Sequence, residues 1–179
     1  SECRPQWGIP SLWQREEGFL HHDWAFCFLQ NFGANVGLHG RMDQLLENFY
    51  ETKTNPLAKH MTGFGLTLEG SENNPVMFEL MCELPWRPEK FSKEEWLKNY
   101  IFARYGVKDE KIEKAWMILA NEIYNCPRGN NQQGPHESIF CGRPHMENFQ
   151  VSSWSKMKNY YDPTTTAEAA RLFIEVADK

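Results

Sequence analysis

A glutamate stands directly after a short apolar stretch near the middle of this 179-residue chain. Residues 61–68 read MTGFGLTL, and Glu69 and Gly70 follow them. A carboxylate at the end of a strand, beside a glycine that lets the backbone turn, can act as a nucleophile or as a general base. Glu72 is a competing carboxylate, although its position shortly before Pro75 favours a simpler role as a negative charge at the start of a helix. From the pattern alone, that simpler role is also the more common one for Glu69.

Two strand–loop–helix units are predicted around this glutamate. Residues 24–29 form a continuous apolar run, which predicts a buried strand, and a polar, glycine-rich loop and a helix over about 41–53 follow. The second strand, over 61–68, leads through Glu69 to a helix that begins at Pro75, where a missing N–H costs nothing. This alternation indicates parallel strands covered by helices, as in part of an α/β sheet or barrel.

Side chains that follow neighbouring parallel strands lie at the same edge of a sheet. Asn31 and Phe32 end the first predicted strand in the way that Glu69 ends the second. We therefore expect these three residues to line one pocket. Turn formation and core packing are the alternative explanations for Asn31 and Phe32.

The second half of the chain is predicted to be helical. Ser92 and Glu95 form a capping box for a helix that ends at Gly106, and Asp109 caps the next helix. Residues 165–168 form another capping box, which predicts that the last helix begins there.

Two segments lack a regular hydrophobic period. No helix or strand is expected in residues 1–23, where prolines and glycines interrupt any pattern. Residues 128–150 are predicted to form a long loop rich in Gly, Asn, Gln and Pro. Loops of that length are often functional.

Composition narrows the possible functions. The net charge is −5 and the Lys and Arg residues are scattered, which argues against binding to nucleic acid or to an anionic membrane surface. No apolar run approaches the roughly 18 residues of a membrane-spanning helix. The six histidines have no metal-binding spacing, and the sequence has no C-x-x-C pair and no phosphate-binding loop, so no metal or cofactor is expected. Aromatic residues make up 14%, which suits stacking on sugar rings, although a large aromatic core explains it more simply.

Two long motifs resemble those of a known family. Residues 24–37 read WAFCFLQNFGANVG and are similar to W-x-x-x-x-L-x-N-F/Y-G-G-N-x-G. Residues 61–86 read MTGFGLTLEGSENNPVMFELMCELPW and are similar to G-x-G-M-x-x-E-G-x-x-x-N followed by E-L-x-W. Both motifs are typical of the α-N-acetylglucosaminidases, glycoside hydrolase family 89, which the chain resembles over nearly its whole length. Leu66, Leu68 and Ala34 depart from the usual residues without removing a group that the chemistry needs.

The resemblance implies an α/β fold followed by an all-α fold. Residues 1–88 would be the last strands and helices of a partial (β/α)8 barrel, and residues 89–179 the first helices of an α-helical domain. The family resemblance alone indicates a periplasmic, secreted or lysosomal location.

The resemblance also implies an activity. It indicates a retaining glycoside hydrolase that releases terminal α-linked N-acetylglucosamine from a glycan or glycoconjugate, with Glu69 as the nucleophile. No metal or cofactor is implied. The positions that match the family's sugar pocket are Leu29, Asn31, Phe32 and, in the helical domain, His136 or Glu137.

A retaining glycosidase needs a second carboxyl group about 5–5.5 Å from the nucleophile. In the family this general acid/base lies on an earlier barrel strand, so the chain alone is expected to be an incomplete, inactive fragment. A partial barrel also exposes sheet edges and apolar faces, which predicts self-association into a homo-oligomer. A non-catalytic carbohydrate-binding module and an enzyme for a neighbouring α-glycoside remain the alternatives.

Overall fold

The computed structural model describes residues 11–29, 38–68, 74–127, 146 and 160–177. Strands and helices alternate in the first part of these ranges, and helices follow the second strand. The elements are α1 (Leu12–Arg15), α2 (Glu17–Leu20), β1 (Trp24–Leu29), α3 (Met42–Thr54), β2 (Met61–Thr67), α4 (Pro75–Glu83), α5 (Lys93–Tyr105), α6 (Glu110–Glu122) and α7 (Pro163–Val176). Two 3-10 turns, Pro56–Ala58 and Leu84–Trp86, follow α3 and α4.

The two strands form a parallel pair, as the alternation of elements predicts. Their register sets Trp24 opposite Met61 at the start and Leu29 opposite Thr67 at the end. A parallel pair needs a crossover connection, and α3 lies within it. The carboxyl ends of both strands therefore share one edge of the sheet, here called the carboxyl edge.

Helices α3 and α4 cover one face of this sheet. Phe28 is 1% exposed, and its ring lies edge-on to that of Phe78 in α4, with 5.2 Å between ring centroids. The ring centroids of Phe26 and Phe64 lie 5.9 and 5.4 Å, respectively, from that of Phe49 in α3. The prediction that the whole first strand is buried is wrong, because its residues alternate between covered and exposed positions.

Helices α3 and α4 lie where the sequence predicts them. Met42, Leu45 and Phe49 recur on one stripe of α3, and all three are fully buried. Pro75 occupies the first turn of α4, as expected. Full burial of each such apolar side chain contributes about 1.5–3 kcal/mol to stability.

The caps of α5 and α6 are also confirmed. Ser92 Oγ accepts the backbone N–H of Glu95 at 3.1 Å. Gly106 ends α5 in the left-handed conformation, with φ 72°. Asp109 Oδ1 accepts the backbone N–H of Lys111 at 2.8 Å, so it caps α6.

Helix α7 begins earlier than the sequence analysis predicts. The Asp162 carboxylate accepts the backbone N–H groups of Thr164 and Thr165 at 3.2 and 3.0 Å, and Pro163 takes the first helical position. The predicted box at 165–168 is therefore wrong, and Glu168 pairs instead with Arg171 at 2.8 Å. Asp followed by Pro is the stronger start signal, because the carboxylate caps free N–H groups while proline presets φ.

Residues 12–20 are more regular than predicted. The Ser11 N–H donates to Gln14 Oε1 at 3.0 Å at the start of α1, and Gln14 Nε2 donates to Glu51 of α3 at 2.7 Å. Helix α2 is a single turn with positive φ, in which Gly18 (φ 69°) lies against the carbonyl of Leu57. A Cβ on Gly18 would lie 2.1 Å from that oxygen, so this glycine permits a close approach as well as a turn.

One hydrophobic core cluster joins the two halves of the chain. It extends from Phe28 and Leu45 through Trp96 and Trp116 to Tyr161. The division of the chain at residues 88 and 89 stays a prediction. Among the helices in the described ranges, none combines the length and the apolar character needed to span a membrane.

Candidate active site

The carboxyl edge is built from the last residues of β1 and β2. Leu29 and Thr67 are paired in register there, with Leu29 half-buried and Thr67 exposed. In sequence, Asn31 follows Leu29 by two residues and Glu69 follows Thr67 by two residues. The two segments that lead to Asn31 and Glu69 therefore start from paired, neighbouring residues at the end of the sheet.

The sheet face opposite α3 and α4 carries small side chains. Ala25 and Cys27 on β1 lie beside Gly63 and Gly65 on β2. A Cβ on Gly65 would lie 3.2 Å from Cys27 Sγ, and one on Gly63 would lie 3.6 Å from the Ala25 Cβ. Side chains this short leave room against the sheet for a ligand or for further protein.

A short antiparallel contact holds the start of α3 against the end of α6. The Met42 N–H donates to the Tyr124 carbonyl at 2.7 Å, and the Cys126 N–H donates to the Gly40 carbonyl at 2.9 Å. Gly40 has no room for a side chain, because a Cβ would lie 2.6 Å from Met77 Sδ. The chain that leads into residues 128–159 therefore runs beside the chain that emerges from residues 30–37.

Asp43 connects this antiparallel contact between α3 and α6, here called the junction, to α5. Its Oδ1 lies 2.7 Å from Lys93 Nζ, and its Oδ2 accepts a hydrogen bond from Asn125 Nδ2 at 2.7 Å. The Lys93 side chain is only 9% exposed, so little water reaches its ammonium group. The Asp43 charge balances that ammonium and also fixes the residue opposite Arg41 in the antiparallel contact.

A buried histidine joins the junction to the start of α7. His39 is 2% exposed, and its Nδ1 lies 3.2 Å from the Tyr160 hydroxyl. That hydroxyl also donates to the Ile123 carbonyl at 2.6 Å. Burial and, second, the positive charge of Arg41 lower the pKa of His39 to about 3. Burial likewise raises the pKa of Tyr160 above its usual range, so both side chains are neutral near neutral pH.

Two buried amide side chains lie at the starts of the helices that follow the strands. Asn74 is the N-cap residue of α4, and Gln44 lies in the first turn of α3. Neither Asn74 Nδ2 nor the Gln44 amide has a hydrogen-bond partner in the part of the chain that the structure describes. A buried polar group without a partner costs about 1–3 kcal/mol, so these amides mark places that water, a ligand or further protein would complete.

A cavity of about 510 Å³ lies at the opposite end of β1. It is lined by Leu12, Glu16, Phe19, Leu20, His22, Asp23 and Trp24. Trp24 is the first residue of the strand, so the strand's length separates this cavity from the carboxyl edge. The cavity is therefore not part of the site predicted around Glu69.

Metal ligands are not clustered in the described ranges. There, no group of three His, Cys, Asp or Glu side chains could hold an ion. Within those ranges, Cys27 and Cys82 are exposed free thiols.

Family models match nearly the whole chain in two blocks. Residues 1–88 match the tim-barrel domain of α-N-acetylglucosaminidase, and residues 96–179 match the C-terminal domain of the same protein family. The chain belongs to the α-N-acetylglucosaminidase family.

The chain is similar in sequence to a human relative and in sequence and fold to solved bacterial structures. Human α-N-acetylglucosaminidase is 29% identical over 167 residues, which are 93% of this chain and 21% of the human protein. A family 89 glycoside hydrolase from Clostridium perfringens was solved with two Glu→Gln substitutions in complex with its substrate, GlcNAc-α-1,4-galactose. It matches with a TM-score of 0.80 and 27% identity, covering 95% of this chain and 19% of that one. A family 89 glycoside hydrolase from the same organism, in complex with 2-acetamido-1,2-dideoxynojirmycin, matches with a TM-score of 0.81 and 28% identity over 95% of this chain and 19% of that one.

The chain spans about a fifth of the length of these α-N-acetylglucosaminidase relatives. Four of the site residues predicted from the sequence, Glu69, Asn31, Phe32 and His136, lie outside the described residues, so their roles stay predictions. Leu29 is described, and it lies half-buried at the end of β1 on the carboxyl edge. Its proposed role in the sugar pocket also stays a prediction.

Three polar side chains in this part of the family fold, the buried His39 and Asn74 and the partly buried Tyr160, were not found from the sequence. His39 and Tyr160 belong to no motif and are 121 residues apart, so no local pattern connects them. Asn74 was visible as the last position of the E-G-x-x-x-N motif, but nothing in the motif shows that its side chain is buried.

Proposed function

We propose that the full-length protein hydrolyses terminal α-linked N-acetylglucosaminides with retention of configuration, and that Glu69 is its nucleophile. The observation that carries this proposal is the pairing of Leu29 with Thr67 at the carboxyl edge. In parallel α/β barrels, catalytic groups come from the loops at this edge. Glu69 follows the edge by two residues, in a chain whose family is named for this activity.

The proposed chemistry has two steps. A Glu69 carboxylate oxygen attacks the anomeric carbon, the bond to the leaving oxygen breaks, and a second carboxylic acid gives its proton to that oxygen. The second group, now a carboxylate, takes a proton from the water that hydrolyses the glycosyl-enzyme ester. The substrate complex of the Clostridium perfringens relative carries two Glu→Gln substitutions, as expected if a pair of glutamates performs its reaction.

We further infer that β1, β2 and their helices are the last part of a (β/α)8 barrel, and that α5 to α7 begin the helical domain. The parallel pair, its crossover and the open face of small side chains support this assignment. In the family, the general acid/base lies on an earlier barrel strand. The 179-residue chain alone is therefore expected to have negligible activity.

The proposed substrate is a glycan or glycoconjugate that ends in α-N-acetylglucosamine. Leu29, Asn31, Phe32 and His136 are proposed to shape the pocket for this sugar. A location outside the cytoplasm (periplasmic, secreted or lysosomal) is proposed from family resemblance alone.

The proposal is tested by hydrolysis of an aryl α-N-acetylglucosaminide by the full-length protein and by its Glu69→Gln variant. We expect a loss of about 10⁴-fold or more in kcat, because the nucleophile takes part in both chemical steps. Glu72→Gln is the matched control, since it removes a carboxylate from the same short segment and should retain most of the activity. Proton NMR of the first sugar released should show the α-anomer.

Three outcomes would contradict the proposal. Full activity in Glu69→Gln would remove the nucleophile assignment, and an initial β-anomer would remove the retaining mechanism. A wild-type protein that binds the sugar but does not release it would favour a carbohydrate-binding module.

A further inference from the structure

The Tyr160 hydroxyl connects three parts of the chain. It lies 2.6 Å from the Ile123 carbonyl, which can only accept, so the hydroxyl proton must point there. The hydroxyl oxygen then accepts the hydrogen bond from His39, and Nδ1 of that imidazole carries the proton. Because the Ile123 carbonyl can only accept, it determines that Tyr160 donates to Ile123 and that His39 donates to Tyr160.

These three residues border, in the sequence, segments that hold predicted pocket residues, since Asn31 and Phe32 precede His39 and His136 lies between Ile123 and Tyr160. His39 follows residues 30–37, and Tyr160 immediately follows residues 128–159. Ile123 ends α6, shortly before residues 128–159 begin. A backbone hydrogen bond from the Cys126 N–H to the Gly40 carbonyl joins the residue after His39 to a residue shortly after Ile123.

We propose that the His39–Tyr160–Ile123 hydrogen-bond chain, here called the clasp, holds residues 39, 123 and 160 in fixed positions and that glycoside hydrolysis by the full-length protein depends on it. His39 and Tyr160 are then positioning residues, which act through the predicted pocket residues near them in the sequence and do not touch the sugar. The inference rests on the proposed function. It goes beyond it by assigning a role to two residues that belong to neither family motif.

Two physical features suit the clasp to this role. The first is burial, since His39 is 2% exposed and water competes weakly for its hydrogen bond. The second is sequence separation, because His39 and Tyr160 are 121 residues apart and their contact closes a long stretch of chain. Small displacements of groups that hold a substrate lower the rate steeply, by up to about 100-fold for roughly 1 Å.

The test uses the full-length protein and the Tyr160→Phe variant, which keeps the ring and removes only the hydroxyl. We expect kcat/KM for an aryl α-N-acetylglucosaminide to fall about tenfold, mostly in kcat, at a temperature well below unfolding. Tyr161→Phe is the matched control, since it removes a hydroxyl from the adjacent residue and should stay within about twofold of the wild type. His39→Asn keeps an N–H donor near the Nδ1 position and should recover most of the activity, whereas His39→Leu should not.

Hydrogen exchange measured by mass spectrometry supplies a second result that does not need catalysis. Peptides covering 30–40 and 128–160 should exchange faster in Tyr160→Phe than in Tyr161→Phe. If the wild type proves inactive on the sugar, the proposed function fails, and equal exchange in the two variants would then overturn the clasp as well. In an active enzyme, a Tyr160→Phe rate within about twofold of the wild type, or equal loss in His39→Asn and His39→Leu, overturns the inference.

Discussion

Lys93 Nζ lies 2.7 Å from Asp43 Oδ1, so a largely buried ammonium at the start of α5 is neutralised by a carboxylate in the first turn of α3. The same carboxylate holds Asn125 through its second oxygen. One aspartate therefore connects the strand-containing half of the chain with two points of the helical half.

Asp43→Ala should lower the free energy of unfolding by about 2–4 kcal/mol, because it leaves the Lys93 charge without its carboxylate in a site that water reaches poorly. Lys93→Met should lower the free energy of unfolding less than Asp43→Ala does. It removes the buried ammonium itself, so no buried charge is left without a partner. The exposed pair Lys98–Glu113, with 4.0 Å between charged atoms, is the control. Glu113→Ala should cost less than about 1 kcal/mol. Urea unfolding measures all three, and equal losses would contradict the argument.

The pKa of His39 predicts a pH dependence of stability. It is 6.5 in the unfolded chain and about 3 in the folded one, so between these values the unfolded state binds a proton that the folded state does not. The contribution of His39 to the stability of the folded protein is fully present above pH 6.5 and is lost as pH falls towards 3. The slope approaches about 1.4 kcal/mol per pH unit. Burial raises the pKa of neighbouring Tyr160, which therefore stays neutral in this range and does not contribute to the pH dependence.

Thermal or urea unfolding of the wild type and of His39→Asn between pH 7 and pH 4 isolates this contribution. The variant should lose less stability on acidification, because the residue at position 39 no longer titrates. Parallel curves for the two proteins would show that His39 binds its proton as readily in the folded state as in the unfolded one.

Gly40→Ala should destabilise the fold by about 1–3 kcal/mol, because the added Cβ would lie 2.6 Å from Met77 Sδ and 3.0 Å from the Tyr124 ring. Gly63→Ala is the matched control, since its Cβ would make only an ordinary contact, 3.6 Å from Ala25. Differential scanning calorimetry should show a lower melting temperature for Gly40→Ala alone. A similar melting temperature for both variants would show that Met77 can move aside without cost.

The start of α7 can be tested by separating its two possible caps. Asp162→Ala should lower the free energy of unfolding, because the N–H groups of Thr164 and Thr165 lose their acceptor. Asp162→Asn keeps an acceptor oxygen and should recover much of that loss. Thr165→Ala should cost less than Asp162→Ala, and the opposite order in urea unfolding would restore the cap predicted at position 165.

Self-association of the isolated chain remains a prediction, and β2 offers a surface for it. Phe64, Leu66 and Leu68 are exposed beside the edge of the two-stranded sheet. We expect light scattering after size exclusion to give a mass above that of one 21.0 kDa chain. Leu66→Lys should shift the population towards the monomer, because a charge on an edge strand disfavours pairing. A wild-type mass of one chain at all concentrations would contradict the prediction.

Signals within a few residues decided most of the secondary structure. Ser92, Asp109 and Gly106 predict helix ends that the structure confirms, because a cap depends on groups one to three residues away. The predicted start of α7 was wrong for a related reason. Two capping patterns begin only three residues apart, at Asp162 and Thr165, and Asp162 is the stronger cap. The two family motifs were equally visible, because their residues are contiguous in the sequence.

Only the tertiary structure decided which faces are covered and which distant residues meet. The apolar run of β1 does not reveal that one of its faces meets α3 and α4 while Ala25 and Cys27 are exposed. Nothing in the sequence pairs His39 with Tyr160, or Asp43 with Lys93. Hydrophobic periods and caps report on neighbours along the chain, whereas these contacts depend on how the crossover and the helices pack, which is set by the whole core at once.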